Sequence, residues 1–183
     1  MAKTKLPFDT LKEYLPAGTY ELVMPFINKH KVHLTITRER QTKLGDYRNA
    51  HAGLNHRISI NGNLNKYSFL ITLLHELAHL LAYEKHGHTI QAHGQEWKHT
   101  YAGVLKAFLQ HQIFPADIAD ELQLTIHNPS ASSCAEESLQ RVLMKYDKPK
   151  PGVKLVEEVE IGKKFRTHNG IVFQKGERIR KRY

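Results

Sequence analysis

Two histidines and a glutamate stand together at His75-Glu76-Leu77-Ala78-His79. On a helix, a four-residue step brings both imidazoles to one face, one turn apart, where they can share a metal ion. Glu76 then lies beside whatever water such a metal holds. This is the arrangement of zinc hydrolases: neutral imidazoles bind Zn2+, a third protein ligand completes the set, and a fourth position stays open for water whose pKa falls toward about 7. The neighbours Phe69, Leu70, Leu73, Leu74, Leu77, Leu80 and Leu81 make the helix apolar on almost every side, as expected of a buried one. A buried polar group left unpaired costs about 1–3 kcal/mol, and a bare charge more, so all three residues need compensation. One cation supplies it. A core helix whose histidines bond to backbone carbonyls is the plainer alternative, and it leaves Glu76 without a partner.

The position of the third ligand separates the classes of HExxH enzyme. A short-spaced metzincin needs glycine at position 82 and histidine at position 85, but the chain has Ala82 and Lys85, which excludes that class and the related three-histidine nuclease pattern. His86 falls near the right face but about 10 Å along the axis from His79, at 1.5 Å per residue. His88 lies in a turn. His93 is the stronger candidate: it heads His93-Gly94-Gln95-Glu96-Trp97 just before a new helical pattern, where the chain has room to turn back and Gly94 permits close backbone approach. Glu96 is the alternative, since a carboxylate from a following helix also ligates zinc.

HELAHLL followed, after a His/Gly-rich loop, by HGQEWK resembles the SprT-like zinc metalloproteases, the group of bacterial SprT proteins and Spartan-type DNA–protein crosslink proteases. The likeness extends upstream to Arg40-Gln41-Thr42-Lys43-Leu44-Gly45 and Ile58-Ser59-Ile60-Asn61, which match the two strands ahead of that family's catalytic helix, and it covers about residues 10–110. It implies His75, His79 and His93 as the ligands of one Zn2+, Glu76 as the catalytic carboxylate, and proteolysis of proteins attached to or near DNA.

The elements that must position these residues are legible from periodicity. Helices are expected over Phe8–Leu15 and Tyr20–Lys29, with Pro16-Ala17-Gly18 between them. Val32–Thr37, Leu44–Arg48 and His56–Asn61 alternate as strands and predict a small three-stranded antiparallel sheet. Leu44–Arg48 is the expected edge, able to hold a peptide substrate straight by backbone pairing. The long helix Tyr67–Lys85 follows, then Glu96–Gln110, with Trp97 assigned to the core. A short helix starts at Pro115 and another spans Glu136–Tyr146. The fold class is α+β, a zincin-like minimal metalloprotease core at 1–127, a linker with a short helix at 128–152, and a basic β-ribbon tail at 153–183. The ribbon strands are Val153–Val159, Lys164–His168, Ile171–Gln174 and Arg178–Tyr183, with turns at Asn169-Gly170 and Lys175-Gly176. The chain ends inside the last of these, as a fragment of a longer protein would.

Charge divides the chain in the same way. Of a net +9, residues 163–183 carry +7: eight basic side chains (Lys163, Lys164, Arg166, Lys175, Arg178, Arg180, Lys181, Arg182) against Glu177. With Phe165, Phe173 and Tyr183 nearby, that tail is a candidate for binding DNA, or is a ribbon charged for solubility. A nucleic-acid-binding protein with a structural or latent zinc site is the competing reading. Cys134 is the only cysteine, so an internal disulfide is excluded and a second, cysteine-held zinc is not expected. No apolar run approaches a membrane span. A soluble, cytoplasmic monomer acting on a protein or peptide substrate, with no membrane partner, is expected. Tyr47, Tyr83, His88 and His99 are the candidates to stabilise an oxyanion.

Overall fold

The structure, a computed structural model, describes residues 8–149, 152–167 and 169–179, the side chains of Phe8 and Asp9 excepted. It forms two compact units, Met1–Asp147 and Lys148–Tyr183. Among the described residues no helix is long and apolar enough to cross a membrane.

The first unit is α+β. Helices α1 (Phe8–Tyr14) and α2 (Tyr20–Lys29) lead into strands β1 (His33–Thr37), β2 (Gly45–Arg48) and β3 (Arg57–Asn61). Helix α3 (Lys66–His86) follows, then α4 (Gln95–Gln110), α5 (Ala116–Thr125) and α6 (Glu137–Met144). α3 is the core itself: Phe69, Leu70, Ile71, Leu73, Leu74, Leu77, Ala78 and Leu80 are all buried, which explains a hydrophobic pattern without a polar face. Asn65 caps its start by accepting from the Ser68 N–H at 2.9 Å, and Gly87, at φ 75°, ends it.

The sheet corrects the expected all-antiparallel pairing. Its order is β1-β3-β2, with β1 parallel to β3 and β2 antiparallel to β3. Alternation reveals which face of a strand is buried but not which neighbour it pairs with, and seven residues between β1 and β2 suffice for β3 to insert between them. Arg40 pins that connection. Its guanidinium donates to Asn61 Oδ1 at 2.8 Å, Ser59 Oγ at 3.0 Å and the Ser59 carbonyl at 3.1 Å. Asn61, fully buried, donates in return to the carbonyls of Arg40 and Lys43 at 3.0 and 3.1 Å. β2 is left at the edge, as expected.

The polar, proline-containing stretch from residue 128 does not behave as the expected linker. It belongs to the first unit. Lys98 Nζ donates to Asn128 Oδ1 at 2.7 Å, the Ser130 N–H donates to Glu136 at 2.8 Å, and Cys134, Leu139 and Leu143 are buried. Asn65 Nδ2 ties α6 to the start of α3 through the Leu143 carbonyl at 3.1 Å and Asp147 at 2.7 Å. Composition reads as flexible here because the anchoring is done by a few hydrogen bonds and isolated apolar residues.

In the second unit β4 (Lys164–Arg166) and β5 (Val172–Gln174) pair antiparallel around the expected Asn169-Gly170 turn. The expected strand Val153–Val159 instead contains a 3-10 turn at Val156–Glu158, and residues 180–183 of the last expected strand lie outside the described residues. Lys175, counted among the basic side chains, is buried, its Nζ donating to the Val156 carbonyl at 2.6 Å.

Asn61→Ala strips a buried carboxamide from two backbone carbonyls and the Arg40 guanidinium, so a loss of about 2–4 kcal/mol is expected. The urea unfolding midpoint measures it; a midpoint equal to wild type removes the pinning role.

Candidate metal centre

His75 and His79 sit one turn apart on α3, and the turn before α4 returns His93 to meet them. Its Nε2 lies 3.2 Å from His75 Nε2 and 3.0 Å from His79 Nε2. A tetrahedral ion bound at 2.0–2.1 Å holds its nitrogen ligands about 3.3 Å apart, so the three imidazoles already stand at ligand spacing. They cannot satisfy one another: Nε2 of His93 carries either one proton or one lone pair, and two nitrogens face it. A cation resolves the conflict. Among the described residues this is the one group of His, Cys, Asp or Glu side chains placed to hold a metal ion, and no fourth side chain of those types joins it.

Burial prepares these groups to ligate. It depresses His75 to about 3, helped by His79 and His93, and His79 to about 4, helped by His93; His93 is lowered by burial too. All three are therefore neutral at pH 7, with lone pairs available. His93 takes a left-handed φ of 60°, a strained setting for a non-glycine residue, and the turn closes through the Gly94 N–H to the Gln91 carbonyl at 3.0 Å. A Cβ at Gly94 would meet that carbonyl oxygen at 3.0 Å, so the close approach expected there is realised. Trp97 is fully buried, as expected, and forms the back wall: its ring centroid is 4.7 Å from His75 and His93 and 5.1 Å from His79.

Glu76 lies next to the triad and is 5% exposed. Burial, then Asp46, pushes its carboxyl up to about 8, against Arg40, Lys43 and the hydrogen bond from the Tyr47 backbone N–H. Strand β2 can come this close only because residue 45 is glycine. A Cβ there would clash with Glu76 Oε1 and come within 2.7 Å of Thr72 Cγ2. Sequence reasoning missed Gly45, although a glycine opening a β pattern often marks such close approach.

The triad opens into a cleft of about 690 Å³, walled by residues 41–47 on one side and by 87–93 and 131–135 elsewhere. Of the remaining candidates, Glu96 is exposed and outside the converging group, whereas His93 is its third member. His86 and His88 do not join it either, though His88 lines the cleft. Tyr47 and Tyr83 line it too, whereas His99 is exposed and does not. The Tyr47 hydroxyl is engaged by His56 Nδ1 at 2.9 Å. Tyr83 Oη accepts from Asn49 Nδ2 at 3.2 Å, which leaves its own proton available.

The model described as the SprT-like family matches residues 18–120. The chain belongs to the SprT-like family. That family is of metalloprotease type, and its module contains every residue of the triad together with Glu76, β2 and β3. Comparison with curated proteins and with solved structures found no match. In this SprT-like chain the segment 128–147, which closes part of the cleft, falls outside the matched module.

Purified protein is expected to hold one equivalent of divalent metal, and His93→Ala to lose it, by metal analysis after dialysis. Undiminished metal in that variant rejects the three-histidine site.

Proposed function

We propose that the chain is a zinc-dependent endopeptidase. The observation that carries this is the meeting of three neutral imidazoles at ligand spacing, beside a buried carboxylate, with no fourth His, Cys, Asp or Glu side chain joining them among the described residues. Structural zinc sites are closed by four protein ligands; an open position is the mark of a catalytic one. His75, His79 and His93 would hold the zinc, which would supply Lewis acidity toward water and the scissile carbonyl and would favour the ionised form of Glu76.

Glu76 then does the proton work. Held by the Tyr47 N–H and shielded from solvent, its carboxylate takes a proton from the attacking water and returns it to the leaving amine. Tyr83, with its hydroxyl proton uncommitted, donates to the developing oxyanion. Gly45–Tyr47 lie on the edge strand and line the cleft, which supports backbone pairing with an extended peptide along β2.

Glu76→Gln keeps the volume and removes the base, so cleavage of an unstructured protein is expected to fall at least about a thousandfold with zinc still bound. Tyr83→Phe is expected to lower kcat about tenfold or more with little change in KM, and Gly45→Ala to lower it by displacing Glu76. Full activity in Glu76→Gln rejects the mechanism.

Action on DNA-associated proteins is supported by the second unit, where Lys163, Lys164 and Arg166 are exposed. Lys164 and Arg166 share the face of the ribbon opposite the Phe165–Phe173 pair, which stacks at 5.9 Å. That separation favours phosphate contacts over base stacking. Reversing both charges (Lys164→Glu with Arg166→Glu) is expected to reduce the salt slope of DNA binding by about 2, at roughly 0.9 per phosphate contact. An unchanged slope places the contacts elsewhere.

A further inference from the structure

The stretch Ala131–Ala135 is a strap that lines part of the cleft. It is anchored where it meets α3: Thr72 Oγ1 donates to Ser133 Oγ at 3.3 Å, and Cys134 Sγ lies 3.9 Å from the Ser68 carbonyl oxygen. Ser68, Thr72 and Glu76 are spaced by four, so they share one stripe of the helix. Thr72 is also the residue that Gly45 of β2 packs against. Edge strand and strap therefore converge one turn before the catalytic carboxylate, about 6 Å along the helix axis. An extended peptide advances about 3.3 Å per residue, so the strap meets a substrate about two residues from the bond facing Glu76.

The chemistry of this wall is distinctive. Ala131, Ser132, Ser133, Cys134, Ala135 and Gln140 line the cleft, and none carries a charge. All but Gln140 are small. Burial pushes the Cys134 thiol up to about 12, which keeps it neutral. Elsewhere in the cleft lining, Lys43 and Asp46 pair with each other, Lys43 Nζ donating to Asp46 at 2.6 Å. A charged substrate side chain settling against the strap finds no charge among these lining residues to pair with, whereas a bulky uncharged one meets small residues that leave it room.

Resting on the peptidase reading, we infer that the strap is a specificity-determining subsite, supplied from outside the family module, that selects peptides with a large uncharged side chain within two positions of the scissile bond. Selection acts through kcat/KM, because the same wall touches both bound and reacting peptide.

The test is cleavage-site profiling of a mixed peptide library with the zinc-loaded full chain, read by mass spectrometry. Wild type is expected to favour large uncharged residues over charged ones at one position within two of the cut. Ala131→Trp, at an exposed site, is expected to lower the ratio of bulky to small residues there about tenfold, and Ser132→Lys to raise Asp and Glu at the same position. Melting temperatures identify any variant that misfolds, and the two substitutions act on different residues. Profiles identical to wild type in both folded variants, or a wild type indifferent to side chain at those positions, overturn the subsite while leaving the peptidase intact. A zinc-loaded wild type that cuts no peptide or unfolded protein overturns the peptidase reading, and the subsite falls with it.

Discussion

Three converging imidazoles, with His93 Nε2 at 3.0–3.2 Å from the Nε2 atoms of the other two, are the constraint on which the rest of this structure depends. Neutral imidazoles in a low-dielectric site cannot relieve one another by sharing protons, because the central nitrogen answers only one neighbour. The arrangement is stable against rearrangement only because each ring is held from outside. Two rings are carried on α3, against the indole of Trp97, and the third on a turn that accepts a left-handed residue to aim it. The core of the domain is thus the support of the site: residues that bury α3 also fix where its histidines point.

This explains which features were legible in the amino-acid order and which were not. Spacing along one helix is a local quantity, so His75, Glu76 and His79 announced themselves, and the helix that carries them could be bounded to within a residue at each end. His93 was legible too, because a ligand from another segment needs a turn ahead of a new helix and residues 91–94 offer one. The sheet was harder. Side-chain alternation identified the strands and the edge position of β2, but the parallel pairing of β1 with β3 depends on Arg40 reaching Asn61 and Ser59, contacts that no periodicity encodes. Gly45 belongs to the same category: its need arises from Glu76, thirty-one positions away. The segment 128–136 reads as a linker because small polar residues compose both linkers and tightly anchored straps, and it is contacts from distant residues, Lys98 on α4 and Thr72 and Ser68 on α3, that distinguish them. Lys175 shows the converse error, a charge counted as available for phosphate whose stem is buried and whose ammonium is spent on a carbonyl.

The walls of the cleft are linked to its floor through side chains that never face the reacting bond. His56 Nδ1 accepts from the Ala50 N–H at 3.2 Å and faces the Tyr47 hydroxyl at 2.9 Å, while its Nε2 reaches Glu84 on α3 at 2.9 Å. With Nδ1 as acceptor, Nε2 carries the proton and donates it to the carboxylate, while the Ala50 N–H and the Tyr47 hydroxyl share the one Nδ1 lone pair. Tyr47 is thereby held at both ends: its ring lies parallel to His79 within 4°, and its backbone N–H is bound to Glu76. The edge strand cannot shift without disturbing the carboxylate, nor the carboxylate without disturbing the strand.

Behind the triad the support is of another kind. Trp97 contacts all three imidazoles and Tyr101, at centroid distances of 4.7–5.1 Å, yet its own Nε1 has no hydrogen-bond partner among the described residues. A buried donor left so costs about 1–3 kcal/mol. A phenylalanine would avoid that cost but covers less area, and could not touch three rings at once. The indole therefore serves as a plate, holding by contact what hydrogen bonds would otherwise hold, and leaving the ligating nitrogens turned toward the open side of the cleft. On that side Glu76, β2 and the strap meet, so the rigidity invested behind the histidines is what allows the front to remain accessible.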